Sequence, residues 1–472
     1  MVDERAIITR VESADADELA RLLAAPTEEE ERALRKYLGD EHLEELRHLA
    51  QEQTVLTEAI AETRGNVVVI PGIMGSTLSA VAERGSLDRI WLDPLYLAVR
   101  RLDVLRLSDD GRTGYEPGYD VRATGMLPLV YWRQILSLRR HWNVYPFWFD
   151  WRKDLNVTAD ELRMHIDTKI GEDAPVHVVG HSMGGLVTRT FAKRHPGRWE
   201  TMWDQESDGR SGGRLIMLGT PNHGSFSIPL LLTGLGSMVR RLAAASIQHQ
   251  LSDVLEITNS FVGTYQMLPS SHVMPSVKPL YRSGTYTDLA EPRTVPQRRL
   301  DDALHHHVLL KDVVDPERMV YVAGHGRRTI NGIDDFARLD SLEAYETTET
   351  EGDGTVPHEL GFLRTSEGEM ITTYFVDASH TNLARDRRVL GALDELLEKG
   401  TTNVLDDQMP PTGLEALRTR DKAGTLTAAQ AAEEERVRLL AQEIRAKSVE
   451  RDAGESIEPE ERELAEILVR SF

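Results

Sequence analysis

Short runs of β-branched and other apolar residues recur along this chain, and a loop or a helical stretch follows each run. Runs of this length that stay apolar on both faces are typical of buried parallel strands. Their alternation with helical stretches predicts an α/β fold with a mostly parallel central sheet flanked by helices. The runs are NVVVI from Asn66, VHVVG from Val176, RLIMLG from Arg214, MVYVAG from Met319 and ITTYFVD from Ile371.

The two ends of the chain differ from this pattern, because residues 1–65 and 401–472 are rich in charged residues with helical spacing. At the N-terminal end, Thr27 is followed three residues later by Glu30, which is the pattern of a capping box. At the C-terminal end, Thr427 is a candidate N-cap. We therefore expect helical extensions at both ends. They either pack on the body as solvated helices or mediate contacts with a protein partner or a second copy of the chain.

The body between these extensions is predicted to span residues 66–400, with a helical cap or lid inserted at about 205–310. The most apolar segment of the insertion begins at Ser227 and carries no charge as far as Val239. This is fewer residues than the roughly 18 of a membrane span, so we expect no such span. Two interpretations stay open: a lid that makes transient contact with a lipid interface, or a cap helix buried against the core.

The chain has no cysteine and a formal net charge of −22 at pH 7. The lack of cysteine excludes disulfides, thiolate metal sites and a cysteine nucleophile. The strong negative charge argues against nucleic acid as a partner and against adsorption to an anionic membrane by bulk charge. The N-terminal sequence is charged from its third residue and has no apolar core of a secretion signal, so we expect a cytoplasmic protein.

The segment VHVVGHSMGGLV from Val176 carries a catalytic pattern. Gly180, Ser182 and Gly184 form Gly-x-Ser-x-Gly between a predicted strand and a predicted helix. In such a nucleophile elbow, the serine sits on a strained turn that projects its hydroxyl above the sheet edge, and small neighbours avoid clashes. We predict that Ser182 is a nucleophile, with a purely structural turn as the alternative. His181 is interpreted as a structural residue that points away from the site.

A serine hydroxyl needs a base to take its proton, and the base needs an acid to orient it. In α/β-hydrolases the acid and then the histidine follow the serine along the chain. Asp353, in the glycine-flanked loop EGDGTVP, is the predicted acid, and His380, after the last apolar run, is the predicted base. Asp377 remains an alternative acid, because it lies three residues before His380. The downstream histidines that fit less well are His305, His306, His307, His325 and His358.

Acyl transfer also needs two backbone N–H groups that bind the oxyanion of the tetrahedral intermediate. One normally belongs to the residue after the nucleophile, which here is Met183. The other is expected from the loop after the first strand, where Pro71 and Gly72 turn the backbone and leave the amide of Ile73 free. A plain strand-ending turn is the alternative for this loop. We predict no metal site and no organic cofactor, because this chemistry requires neither.

These segments together resemble the lecithin:cholesterol acyltransferase (LCAT) family of α/β-hydrolases, which includes lysosomal phospholipase. Seven motifs occur in the family's order, and together they cover about residues 66–400. They are VVVIPGIMGS, RIWLDPLYL, YPFWFDWRKDL, VVGHSMGGLV, LGTPNHGS, EGDGTVP and SHTNL. The resemblance implies an α/β-hydrolase fold with a helical cap and the same set of site residues. These are Ser182, Asp353 and His380 as the catalytic triad, and the amides of Ile73 and Met183 as the oxyanion hole.

The resemblance also implies that Trp91, in the IWLD motif, lies near the acyl-binding site, with an ordinary core aromatic as the alternative. His223, in TPNHGS, is expected to border the pocket or to lie on the surface beside it. Asp150 and Arg152 are expected to form a structural pair. The chain departs from the family in having Phe149 where the family motif has tyrosine. It also lacks the signal and the disulfides of the secreted members, so a lipoprotein substrate is not expected.

The predicted function is that of a serine acyl-hydrolase that cleaves an acyl ester of a lipid through an acyl-Ser182 intermediate. One alternative is an O-acyltransferase that passes the acyl group to an alcohol. The sequence marks no second acceptor site, which favours hydrolysis. An alternative of another class is a partner-regulated effector or scaffold, in which the helical extensions bind a protein.

Overall fold

The computed structural model describes residues 3–57, 63–81, 87–99, 102–203, 212–246, 248–409, 427–450 and 456–470. The predicted start of the cap insertion near residue 205 lies outside the described residues. Residues 410–426 of the predicted C-terminal extension also lie outside them.

The strands form one central parallel sheet and two small antiparallel sheets. In chain order they are β1 (Asn66–Ile70), β2 (Ser76–Val81), β3 (Leu87–Trp91), β4 (Asp120–Met126), β5 (Asn143–Pro146), β6 (His177–His181), β7 (Leu215–Leu218), β8 (Met319–Gly324), β9 (Thr329–Ile333), β10 (Tyr345–Thr348) and β11 (Thr373–Val376). The apolar runs of the sequence thus become strands of the central sheet, as predicted.

The central sheet has the order β11, β8, β7, β6, β1 and β5, and each neighbouring pair is parallel. Val68 of β1 pairs with Tyr145 of β5 on one side and with Val178 of β6 on the other. Both faces are covered by helices, which explains why these strands are almost wholly apolar. The sheet order and the flanking helices confirm the predicted α/β-hydrolase fold. β2, β3 and β4 form a separate antiparallel sheet, and β9 pairs with β10.

Helices cover both faces of the sheet and build the cap and the two extensions. In chain order they are α1 (Glu4–Glu12), α2 (Ala16–Ala24), α3 (Glu28–Leu38), α4 (Asp40–Thr57), α5 (Pro94–Val99), α6 (Pro128–Arg139), α7 (Leu155–Lys169), α8 (Met183–Arg194), α9 (Pro196–Thr201), α10 (Ser227–Thr233), α11 (Ser237–Ala245), α12 (Leu251–Thr258), α13 (Val262–Tyr265), α14 (Gly284–Thr287), α15 (Gln297–Leu310), α16 (His358–Gly361), α17 (Arg387–Lys399), α18 (Thr427–Glu450) and α19 (Pro459–Val469). Short 3₁₀ turns lie at Leu102–Leu105, Pro275–Tyr281, Phe336–Arg338, Leu342–Ala344 and His380–Ala384.

The sequence predicts helix N-caps at Thr27 and Thr427 in the two extensions. The Thr27 hydroxyl accepts a bond from the Glu30 amide (3.3 Å), and the Glu30 carboxylate accepts one from the Thr27 amide (2.8 Å). The predicted capping box at α3 is therefore confirmed. Thr427 is the first residue of α18 rather than the residue before it. A shift of one residue is common, because helix ends fray.

Helices α10 to α15 lie between β7 and β8, where the cap is predicted. Among the described residues, Ser227–Ala245 is the one helical segment long and apolar enough to cross a membrane, with a mean hydropathy of 1.2. It reaches this length because it continues past Arg240 and Arg241, beyond the uncharged run that ends at Val239, and the expectation of no membrane span stays a prediction. The segment consists of α10 and α11, joined through Gly234 in the left-handed conformation. Because 67% of it is buried inside the fold, as a core helix would be, it is weak evidence for a membrane span.

The C-terminal helix α18 packs against both the cap and α5. Arg445 donates one hydrogen bond to the carbonyl of Ala98 in α5 (2.7 Å) and another to that of Ala245 in α11 (2.9 Å). Glu434 of the same helix accepts bonds of 2.5 and 3.1 Å from Arg240 of α11. A cation that binds the last carbonyls of a helix stabilises its C-terminal end. Helix α18 thus fastens α11 of the cap to α5.

A buried ionic cluster joins the N-terminal helices to β3. Arg89 of β3 lies 2.9 Å from the carboxylate of Glu12 in α1 and donates a bond of 2.9 Å to the hydroxyl of Tyr37 in α3. The Tyr37 hydroxyl in turn donates to Glu12 (2.7 Å). Burial raises the pKa of Glu12, and the positive charge of Arg89 opposes that rise. The cluster makes α1 and α3 part of the same packed structure as β3.

Removing one charge from this cluster leaves the other charge buried without its partner. We expect Arg89→Met to lower the free energy of unfolding by about 3–5 kcal/mol, measured by urea denaturation followed by circular dichroism. The double variant Glu12→Leu, Arg89→Met is expected to lie closer to the wild type, because it leaves no uncompensated charge.

Arg122→Met is the matched control for this prediction, since the pair of Arg122 with Asp120 is exposed. Its expected cost is less than about 1 kcal/mol. Equal losses of stability in Arg89→Met and Arg122→Met would contradict the assigned role of the cluster.

Candidate active site

Ser182 stands where β6 ends and α8 begins, near the middle of the central sheet. Its backbone angles are φ +52° and ψ −122°, a combination that a residue with a side chain adopts only under strain. Because α8 starts at the next residue, the positive end of its helix dipole faces the serine. This end of a helix favours an anion, so the turn suits a serine oxygen beside a developing negative charge.

The glycines around Ser182 are required by close backbone contacts. A Cβ atom on Gly184 would lie 2.6 Å from the carbonyl oxygen of Ile70, and one on Gly180 would lie 2.7 Å from the amide nitrogen of Gly185. Neither backbone atom can move without shifting a strand or a helix. The Gly-x-Ser-x-Gly spacing therefore follows from the packing of α8 against the ends of β1 and β6.

Asp353 and His380 reach Ser182 from two different loops. The Nε2 atom of His380 lies 2.8 Å from Ser182 Oγ, and its Nδ1 atom lies 2.7 Å from Asp353 Oδ2. The other oxygen of Asp353 accepts bonds from the amides of Thr355 (2.9 Å) and Val356 (2.8 Å). The fold therefore places His380 between Ser182 and Asp353, within hydrogen-bonding distance of both.

The electrostatics of this group follow from its burial. Burial raises the pKa of Asp353, but the charge and hydrogen bond of His380 and two backbone amides outweigh it, so the pKa lies below its usual value. An ionised Asp353 accepts the Nδ1–H of His380, which leaves Nε2 free to accept the proton of Ser182. Ser182 is 5% exposed and His380 is 4% exposed, so these interactions take place largely away from bulk water.

The competing acid and two of the competing histidines have other partners. Asp377 is exposed and pairs with Arg327 at 2.6 Å. His358 donates from Nε2 to the carbonyl of Gly324 (2.9 Å). His307, in α15, donates to the carbonyl of Leu268 (2.7 Å). Across the described part of the chain, no group of three or more histidine, aspartate or glutamate side chains is arranged to hold a metal ion.

The two predicted oxyanion amides flank the serine. Ile73 lies in the loop after β1, and its N–H has no hydrogen-bond acceptor within the described residues. The N–H of Met183 is the first amide of α8 and so has no acceptor inside the helix. A Cβ atom on Gly72 would lie 2.9 Å from Ser182 Cβ, which shows that this loop packs directly on the turn. Both amides are thus available near Ser182.

Trp91 and His223 are the two residues that the sequence predicts near the acyl-binding site. Trp91 is fully buried, donates from Nε1 to the carbonyl of Met74 (2.9 Å) and packs edge-on against Trp151, with ring centroids 5.3 Å apart. It therefore holds the loop that carries Ile73. Burial lowers the pKa of His223 to about 3, so the ring is neutral at ordinary pH. Contact of either side chain with a substrate stays a prediction.

The buried Asp150 and Arg152 form the structural pair that the sequence predicts. Arg152 donates to both carboxylate oxygens of Asp150, at 2.8 and 2.7 Å, and to the carbonyl of Leu105 at 2.8 Å. These bonds tie the start of α7 to the segment before β4. The pair does not include Ser182 or His380, so it supports the fold around the site.

Two residues beside the site were not singled out by the sequence for a role there. Tyr131 of α6 is buried, and its hydroxyl lies between the amide of Gly72 and the ring of His181. The prediction that His181 points away from the site is wrong, because its ring packs against that of His380 with centroids 5.1 Å apart. No sequence motif includes Tyr131. Its hydroxyl reaches Gly72 and His181 only because α6 packs against the turn at Ser182.

The family match can now be set beside this geometry. Residues 128–278 match the sequence profile described as lecithin:cholesterol acyltransferase. The matched segment covers less than half of the chain, and the sheet order is that of an α/β-hydrolase. The resemblance predicted from the motifs is thereby confirmed, and it supports an enzyme that acts on acyl esters by hydrolysis or by transfer. The matched segment contains Ser182 and Met183 and ends before Asp353 and His380.

Solved structures similar to this chain include the Tle4–Tli4 complex, at 15% identity over 72% of this chain and 100% of that chain, with a TM-score of 0.39. The mature Bacillus licheniformis lipase BlEst2 matches at 13% identity over 71% of this chain and 91% of that chain, with a TM-score of 0.33. Among curated proteins, none matches the chain in sequence. The assignment therefore rests on the family match and the sheet order.

The close contact of Gly72 with Ser182 can be tested by adding a methyl group. We expect Gly72→Ala to lower the rate of ester hydrolysis by about tenfold or more, because the loop must retreat and carry the Ile73 amide with it. The measurement is the hydrolysis of a short p-nitrophenyl ester by the folded variant.

Gly197→Ala is the matched control, since nothing lies within 4 Å of the added Cβ atom. Its activity and melting temperature should equal those of the wild type. Full activity in a folded Gly72→Ala variant would show that the loop does not constrain the site.

Proposed function

We propose that this chain is a serine acyl-hydrolase that cleaves an acyl ester of a lipid through a covalent acyl-Ser182 intermediate. The observation that carries the proposal is the continuous hydrogen-bonded line from Ser182 through His380 to Asp353, at 2.8 and 2.7 Å. This geometry fits a nucleophile, a general base and an orienting acid. The family match, which includes the turn at Ser182, supports an ester as the substrate.

In the first half-reaction, His380 Nε2 takes the proton of Ser182 as the serine oxygen attacks the ester carbonyl carbon. The carbonyl oxygen becomes an oxyanion, and the amides of Ile73 and Met183 donate hydrogen bonds to it. When the intermediate collapses, the bond to the alcohol oxygen breaks and His380 gives its proton to that oxygen. The alcohol leaves, and the acyl group remains on Ser182.

In the second half-reaction, water takes the place of the alcohol. His380 removes a proton from the water as its oxygen attacks the acyl carbon, and the same two amides bind the second oxyanion. The bond to Ser182 then breaks, the proton held by His380 returns to the serine oxygen, and the fatty acid leaves. The enzyme is thus restored without any external oxidant or reductant.

The lipid class of the substrate is inferred from the cap. Its segment Ser227–Ala245 carries no charge before Arg240, and such an apolar segment can pack against an acyl chain once it is uncovered. Because Ser182 and His380 are almost fully buried, we infer that part of the cap moves to admit a lipid. We infer that this movement brings the apolar segment into contact with the lipid surface.

A second candidate function is transfer of the same acyl group to an alcohol. The burial of Ser182 and His380 favours it, because an acyl-enzyme shielded from water lasts long enough for an alcohol to attack. Both reactions use the same triad, and they differ only in the acceptor of the second half-reaction.

The role of Ser182 is tested by Ser182→Ala. We expect its rate of p-nitrophenyl ester hydrolysis to fall by at least about 10⁴-fold with an unchanged melting temperature, because the nucleophile is lost and the packing is kept. Ser448→Ala, in helix α18, is the control and should keep full activity. Hydrolysis by Ser182→Ala near the wild-type rate would refute the proposal.

The role of Asp353 is tested by Asp353→Asn. We expect kcat to fall by about 10⁴-fold, because an amide at this position no longer holds His380 in the tautomer that accepts the serine proton. Asp377→Asn, at the competing acid, should change kcat little. The reverse ranking of the two variants would assign the acid role to Asp377.

The two acceptors are distinguished by incubating the enzyme with phospholipid vesicles, with and without a long-chain alcohol. Separation of the products by mass spectrometry should give free fatty acid in both reactions if the enzyme is a hydrolase. A new ester that replaces most of the fatty acid when alcohol is present would favour the acyltransferase.

A further inference from the structure

A second line of hydrogen bonds runs through the site without including Ser182 or Asp353. The amide of Gly72 donates to the hydroxyl oxygen of Tyr131 (2.8 Å), and that oxygen lies 2.9 Å from Nδ1 of His181. The Nε2 atom of His181 lies 3.0 Å from the backbone carbonyl oxygen of His380. The line thus joins the loop that carries Ile73 to the loop that carries the base.

The proton positions along this line follow from counting donors and acceptors. A tyrosine hydroxyl has one hydrogen, and the Gly72 amide already donates to its oxygen. The carbonyl oxygen of His380 can only accept, so Nε2 of His181 carries the ring proton and donates to it. In a neutral ring Nδ1 is then unprotonated, and it accepts the hydrogen of the Tyr131 hydroxyl. Burial and the nearby His380 lower the pKa of His181 to about 3, which agrees with a neutral ring.

We propose that Tyr131 and His181 are positioning residues that hold the Ile73 loop and the His380 loop at a fixed distance from Ser182. The inference rests on the proposed function, since it assigns the geometry of the same triad and oxyanion hole. Tyr131 fixes the amide next to Ile73, and His181 fixes the backbone of the base itself. Neither side chain touches the reacting atoms in this role.

The backbone of His380 shows why this link matters. Its N–H donates to the carbonyl of Asp353 (2.9 Å), and its carbonyl accepts from His181 (3.0 Å). The two ends of the residue are thus held by two different parts of the fold. If the His181 bond is lost, the backbone of His380 is held from the Asp353 side alone. A displacement of about 1 Å at a reacting group can cost roughly a hundredfold in rate.

The Tyr131 link is tested by Tyr131→Phe, which removes one oxygen and keeps the ring. We expect kcat for a p-nitrophenyl ester to fall roughly tenfold to a hundredfold, while KM changes less than about threefold. The rate at which a p-nitrophenyl phosphonate labels Ser182 should fall by a similar factor, because that attack uses the same base and the same amides.

Tyr345→Phe is the matched control for Tyr131→Phe. Tyr345 is also fully buried and donates to a backbone carbonyl, that of Leu339 at 3.0 Å. Its loss should lower the melting temperature by a similar amount and leave kcat unchanged. Wild-type kcat in Tyr131→Phe, or equal losses of kcat in both variants, would overturn the inference.

The His181 link is tested by comparing Gln and Leu at that position. His181→Gln keeps an N–H group that can donate to the His380 carbonyl, whereas His181→Leu has no such group. We expect His181→Leu to lose about tenfold more kcat than His181→Gln. If His181→Leu does not fold, Tyr131→Phe and His181→Gln still decide the question through kcat and phosphonate labelling. Wild-type kcat in every folded variant would overturn the inference.

The outcome for Ser182→Ala separates this inference from the proposed function. If Ser182→Ala stays active, the proposed function fails, whatever the Tyr131 variants do. If Ser182→Ala is inactive and Tyr131→Phe is as fast as the wild type, the proposed function stands and the positioning role of Tyr131 is refuted.

Discussion

At Ser182 the chain leaves the sheet and enters a helix with a φ of +52°, a conformation that costs on the order of 1–3 kcal/mol. The surrounding structure must hold this turn, and it does so by bringing α8 so close to β1 and β6 that only glycine fits at Gly180 and Gly184. The same closeness presses the loop at Gly72 against the serine. The close packing of α8 on the strand ends therefore explains the backbone strain at Ser182 and the spacing of the glycines. It also explains the position of the Ile73 amide.

In the hydrogen-bonded groups at the site, each donor faces one acceptor. Asp353 is held ionised by two backbone amides and by His380, and it orients the histidine toward the serine. On the other side, Tyr131 and a neutral His181 connect the same histidine to the Gly72 loop. Since these groups are buried, a misplaced proton would leave an unpaired polar atom, which is costly away from water.

Helices α1 and α19 meet at Asp93, in the segment that follows β3. Arg5 of α1 forms ion pairs with Asp93, at 3.0 Å, and with Glu461 of α19. Asp93 lies two residues after Trp91, whose indole N–H binds the carbonyl of Met74 beside Ile73. The extensions thus pack against the segment that supports one wall of the site. Their charged sequence is explained by such ion pairs as well as by exposure to solvent.

The sequence by itself determined the strands of the central sheet, the turn at Ser182 and the acid and base that the fold brings to it. These features depend on local patterns: apolar runs for buried strands, glycines for a tight turn, and residue types that acyl transfer requires in a fixed chain order. The tertiary structure alone decided the partners of Tyr131, the orientation of His181 and the burial of Ser227–Ala245. Each depends on which surfaces meet when distant segments pack, and a linear pattern does not record those contacts. For that reason His181, next to Ser182 in the sequence, was predicted to point away, whereas packing turns its ring onto His380.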